Sequence, residues 1–184
     1  MLDSERVLGV VLVSDPRPVG APARFDSFDD AFEAGYWPLV RSLTVICGDR
    51  EMAADCVQDA FVKAYTRWRK ISQYEQPLAW VRRVAINKMK DHGRKKVRGE
   101  RAMARLGPDE PFFMAEPAPI ELTAVLDQLP QQQRIAAALF YVEELSVAEI
   151  AETMNLSAGA VKYHLHAARD RLRTVLAPLA EDFS

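Results

Sequence analysis

The chain has 184 residues, 49% of them apolar and 27% charged, with a formal net charge of −2. That is the composition of a soluble globular protein and the length of one large or two small domains. Its two cysteines, Cys47 and Cys56, come with no C-x-x-C and no histidine pair at ligand spacing, which argues against a metal site and for small buried residues of a reduced, cytoplasmic protein.

In chain order, the apolar run Val7–Val13 is too short to span a bilayer, and Asp3 and Glu5 spoil the basic flank of a secretory signal. Residues 14–24 (SDPRPVGAPAR) read as a flexible lead-in, so residues 1–25 form an N-terminal extension. From Asp26 on the periodicity is helical. Phe28, Phe32, Tyr36, Leu39, Leu43 and Ile46 recur at three or four, with Pro38 expected to break or kink that helix. Gly48-Asp49 predicts a turn, and Asp49 caps a helix over 50–69. A loop over 70–77 follows, then a helix over 78–92 stopped by Gly93.

Residues 106–119 (LGPDEPFFMAEPAP) hold four prolines, three acids and no base. They read as a flexible linker between two helical modules, 26–105 and 120–184. Beyond it come a helix from Ile120 to Leu129 and another opened by Pro130 and running to about Glu143. The fold class expected is therefore all-α, with two small helical domains.

Residues 145–176 point most directly to a job. Ser146 and Glu149 form a capping box, Asn155 tolerates the left-handed turn, and Ser157 caps a second helix with the apolar stripe Val161, Leu165, Ala168 and Leu172. The other face offers Gly159, Tyr163 and His166, flanked by Lys162 and Arg169. This is the layout of a helix-turn-helix that reads a major groove.

The small net charge hides a segregation. Between Phe61 and Arg105 there are fourteen basic and three acidic residues, a net of +11, against −13 for the rest of the chain. Such a stripe fits a polyanion. Within it, Trp80, Arg83, Asn87 and Lys88 combine a stacking ring, phosphate-binding cations and a base-edge amide, which suits single-stranded or melted DNA. The preceding helix carries Glu51, Asp55 and Asp59 early and Lys63, Arg67 and Arg69 late. The helix dipole accounts for part of that order, and an acidic face beside an apolar stripe also suits protein docking.

Two blocks then resemble a known family. GDREMAADCVQDAFVKAYTRWRKI with PLAWVRRVAINKMKDHGRKK is similar to region two of an extracytoplasmic-function (ECF) sigma factor. LDQLPQQQRIAAALFYVEELSVAEIAETMNLSAGAVKYHLHAARDRL is similar to region four, and the two stand in the family's order. The resemblance implies a subunit of bacterial RNA polymerase that finds promoters and helps open them. By it, Asp55, Gln58, Asp59 and Phe61 dock the clamp helices of core polymerase, the second module meets the flap, and Trp80, Arg83, Asn87 and Lys88 bind the minus-ten element. The loop 70–77 cradles a flipped base, and Ser157, Lys162, Tyr163, His166 and Arg169 bind the minus-thirty-five element. It also implies an anti-sigma factor as partner, no cofactor and no catalytic role. Tyr163-His164 departs from the family's usual small residue and arginine, so base preference does not carry over.

The rival reading is a stand-alone helix-turn-helix regulator, disfavoured because the first module lacks the strand–helix alternation of a receiver domain. An enzyme fits worse. His92, His164 and His166 are the only histidines, and no nucleophile motif accompanies them.

Overall fold

The computed structural model describes residues 25–99 and 120–181, so residues 1–24 of the N-terminal extension and the 106–119 linker lie outside the described residues. The described residues form eight helices and no strand. In the first module these are α1 (Phe28–Cys47), α2 (Arg50–Tyr65), α3 (Trp68–Ile71) and α4 (Pro77–Gly99). In the second they are α5 (Ile120–Asp127), α6 (Gln131–Tyr141), α7 (Val147–Met154) and α8 (Ala158–Glu181). None of these helices is long and apolar enough to cross a membrane.

The caps explain most boundaries. Ser27 and Asp30 form a capping box at the start of α1, and Gly48 closes it at φ 72°, a left-handed conformation open to glycine. The Asp49 carboxylate then accepts from the Met52 amide at 2.9 Å and opens α2. These two tight turns make α1 and α2 an antiparallel hairpin, and α4 packs across α2. In the second module α6 and α7 both pack on α8.

Four expectations about boundaries need correction. Pro38 neither breaks nor ends α1, which runs unbroken through it. Leu39, Val40 and Leu43 bury themselves just beyond, and at about 1.5–3 kcal/mol each that burial outweighs the roughly 3 kcal/mol proline penalty. Gly93 does not stop α4. It has open space around its Cα and no positive φ, so it costs only about 1 kcal/mol within a helix otherwise built of good helix formers. The helix expected over 50–69 ends at Tyr65, and Trp68 restarts a single turn whose ring meets Phe28 edge-on at 5.6 Å. Finally, α6 ends at Tyr141, not near Glu143, with Pro130 as its N-cap residue. Glu144 takes φ 58° and the Leu145 amide returns to the Leu139 carbonyl at 3.0 Å, which turns Glu143 away from the helix and toward the first module.

The two modules pack on one another, α4 against α7 and α1 against α5 and α6. Arg134 ties them. Its guanidinium donates to the carbonyls of Ile46 (3.2 Å), Asp127 (3.0 Å) and Leu129 (3.2 Å), satisfying acceptors at the ends of α1 and α5. Cys47 and Cys56 are free thiols. Burial pushes the Cys47 thiol up to about 11, so it stays protonated and unreactive at neutral pH.

Candidate nucleic-acid interface

The helix-turn-helix forms from the residues expected of it. The Ser146 amide donates to the Glu149 carboxylate at 2.9 Å, and the Glu149 amide donates back to the Ser146 hydroxyl at 3.3 Å. Asn155 sits at φ 54°, ψ 50°, and the Ala160 amide donates to the Ser157 hydroxyl at 3.1 Å. Val161, Leu165, Ala168 and Leu172 are buried against α6 and α7. That leaves Lys162, Tyr163 and His166 exposed on the opposite side, Tyr163 at 68%.

Two residues grouped with them have other posts. Ser157 spends its hydroxyl on the cap. Arg169 is half-buried: its Nε donates to the Tyr141 hydroxyl at 2.8 Å and its guanidinium lies 5.8 Å from the Phe140 ring centre. It braces α8 on α6. His166 stands 2.9 Å from Asp170 (Nδ1 to Oδ2), within the same exposed row.

In the first module, α2, α3 and α4 enclose an open cavity of about 440 Å³ lined by Thr66, Arg67, Arg69, Lys70, Ile71, Tyr74 and Trp80. Its size falls in the range of small-ligand sites, ample for one nucleobase. Trp80 and Tyr74 supply ring faces, Ile71 an apolar floor, and three cations the means to hold a phosphate. The sequence placed the cradle in the 70–77 loop. The cavity also draws on Thr66 and Arg67 just beyond α2 and on α3, because the break between the two helices there turns the chain.

The other α4 residues differ in access. Asn87 is exposed. Lys88 forms an ion pair with Asp59 of α2, and Arg83 does not face solvent freely. Its Nη2 donates to the Glu152 carbonyl and lies 3.4 Å from the Glu152 carboxylate, while its Nε donates to the Thr153 carbonyl at 3.4 Å, all on α7. Burial, and then the neighbouring Arg94, lowers the Lys90 pKa.

On α2, Asp55, Gln58 and Asp59 share one exposed face. Phe61 does not join it. It is 2% exposed and meets the Phe32 ring edge-on at 5.1 Å, so it lies beneath the exposed row. Val62 completes the face at 56% exposure, with Phe32 and Trp37 also exposed nearby on α1. Burial, and then the negative charge of Asp55, raises the Tyr36 phenol. The sequence reading missed Val62 and Trp37. The signal was an apolar residue one turn beyond Asp59, off the core stripe.

Comparison with known proteins follows the same division. A family model described as Sigma-70 region 2 matches residues 32–99, and one described as Sigma-70, region 4 matches residues 120–172. The RNA polymerase sigma-E factor of Streptomyces coelicolor is 33% identical over 141 residues, 75% of this chain and 79% of that protein. The ECF RNA polymerase sigma factor SigW of Bacillus subtilis is 29% identical over 170 residues, 84% of this chain and 91% of that one. Among solved structures, the sigma factor RpoE in complex with the anti-sigma factor NepR from Bartonella quintana superposes with a TM-score of 0.64. CnrH in complex with the cytosolic domain of CnrY gives 0.59. Both are 20% identical to this chain and cover 82% of it, with 96% and 88% of those chains covered in turn.

Proposed function

This chain belongs to the ECF family of RNA polymerase sigma factors, and from that premise we propose how its surfaces divide the work of initiation. Asp55, Gln58 and Asp59, with Val62 at the edge and Phe61 beneath, dock the clamp helices of core polymerase, and the second module meets the flap. Trp80, with Tyr74, Arg67, Arg69 and Lys70, receives a base flipped out of the minus-ten element, and Asn87, Lys88 and Arg83 hold the adjoining strand. Lys162, Tyr163 and His166 enter the major groove at the minus-thirty-five element, Ser157 and Arg169 fixing the helix that carries them. The boundaries follow: one domain over 26–105, a linker over 106–119 and a second domain over 120–184. An anti-sigma factor holds the chain silent in the cytoplasm, and the chain itself binds and positions without catalysing.

The observation that carries this reading is the aromatic and cationic cavity beside Trp80, on the same module as an exposed acidic face. A stand-alone duplex binder needs neither. The test is promoter-dependent transcription by purified core polymerase with and without the chain. Stimulation on a genomic promoter is expected. Tight binding to duplex DNA without core enzyme, and no stimulation on any template, would overturn the reading in favour of a regulator.

Within this scheme Lys162→Ala lowers affinity for a duplex minus-thirty-five site and reduces the slope of log affinity against log salt by about one. A slope equal to wild type removes Lys162 from the phosphate contacts.

A further inference from the structure

Gly35 is buried in the interior of α1, and its backbone gives no reason for a glycine, since its φ is not positive. Glycine there weakens a helix relative to alanine, so the explanation lies in what packs against it. A Cβ at Gly35 would stand 2.7 Å from Leu78 Cδ2, 3.1 Å from Leu78 Cδ1 and 3.2 Å from Phe61 Cζ. The missing side chain is what lets α1, α2 and α4 meet at one point.

Leu78 is the second residue of α4, which Pro77 opens without an amide to donate. At 9% exposure it plugs the first turn of that helix onto α1. Trp80 follows two positions on, about 200° around the helix, and lines the cavity with Ile71 and Tyr74. The same turn thus presents one side to α1 and the other to the cavity. Carbon–carbon contacts settle at about 3.5–4.0 Å, so a methyl at position 35 would drive Leu78 away by about 1 Å. Phe61 closes the α2 side at 3.2 Å, which directs the displacement into the turn itself.

We propose that Gly35 is a positioning residue for base capture: by seating Leu78 on α1 it fixes the depth at which Trp80 stands in the cavity. The inference rests on the base-capture reading above. A stacked base needs ring faces at van der Waals separation, and the buried Ile71 floor does not yield. A Trp80 ring displaced by about 1 Å therefore narrows the slot that receives the base.

Gly35→Ala should lower open-complex formation with core polymerase about tenfold, read by permanganate reactivity of minus-ten thymines. Polymerase capture should stay at wild type, and so should the melting temperature, because alanine gains helix propensity where it loses fit. Leu78→Val shortens the facing side chain, so Gly35→Ala with Leu78→Val conserves volume and should restore opening to within about twofold. A second readout uses no polymerase. In the full chain labelled with fluorotryptophan, the Trp80 fluorine resonance, assigned through Trp80→Phe, should move in Gly35→Ala and return in the double variant. Wild-type opening by a folded Gly35→Ala chain overturns the assignment, as does a loss that Leu78→Val does not repair. A matching loss of polymerase capture also overturns it, since the effect would then lie at the docking face through Phe61. Should Gly35→Ala fail to fold, Leu78→Val alone leaves the complementary gap and carries the test. It should open less well than the double variant, and equal opening overturns the proposal. Failure of the base-capture reading shows instead in unchanged opening by Trp80→Ala, which leaves the fluorine shifts standing.

Discussion

Asp59→Arg is expected to weaken association with core polymerase by ten- to a hundredfold while leaving the fold intact. Reversing a charge at the centre of a complementary interface removes an attraction and adds a repulsion, together about 1.4–2.8 kcal/mol. The carboxylate is half exposed and pairs with Lys88, an exposed-type pair whose loss costs about 0–1 kcal/mol. The melting temperature should therefore fall by no more than about 4 °C. Because Asp59 also holds Lys88, the variant must be compared with Lys88→Ala, which should keep polymerase association and lose affinity for promoter DNA. Pull-down of core enzyme separates the two, and undiminished capture by Asp59→Arg removes the residue from the docking face.

The Asp59–Lys88 pair has a further meaning for the charge pattern. The chain is almost neutral only because an acidic remainder offsets the +11 segment, and α2 sets one sign against the other at close quarters.

What could be read from sequence was local. The capping box at Ser146, the left-handed Asn155, the Ser157 cap and the four-residue stripe of α8 are set within a few residues, and each appears where its chemistry demands. Pro38 and Gly93 misled because the same local rules meet tertiary burial in one case and strong flanking helix formers in the other. Arg169 and Phe61 misled for a different reason. Periodicity places a residue on a face but does not reveal that Tyr141 awaits Arg169, or that Phe32 covers Phe61. The packing of the two modules lay furthest out of reach, because Glu143 meets Arg82 across 61 positions and no pattern in either segment announces it.

Trp80→Ala should weaken promoter opening while sparing promoter recognition on duplex DNA. One stacked base is worth about 1–3 kcal/mol, a loss of roughly 5- to 150-fold in the open complex. The side chain is partly buried and packs against the core, so truncation also costs some stability. Trp80→Phe controls for that, since it keeps a ring in the cavity with Tyr74 and Ile71 and should retain an intermediate rate. The decisive comparison uses two templates. If Trp80 captures an unpaired base, a promoter with a premelted bubble at the minus-ten element recovers only the cost of strand separation. Trp80→Ala then remains weaker than wild type on it, because the stacking partner is still missing. If Trp80 merely supports the fold, Trp80→Ala loses duplex binding by the second module and polymerase association together, and Trp80→Phe restores both. Permanganate reactivity of minus-ten thymines reads opening directly, and reactivity equal to wild type in the Trp80→Ala complex would remove the cavity from the opening step.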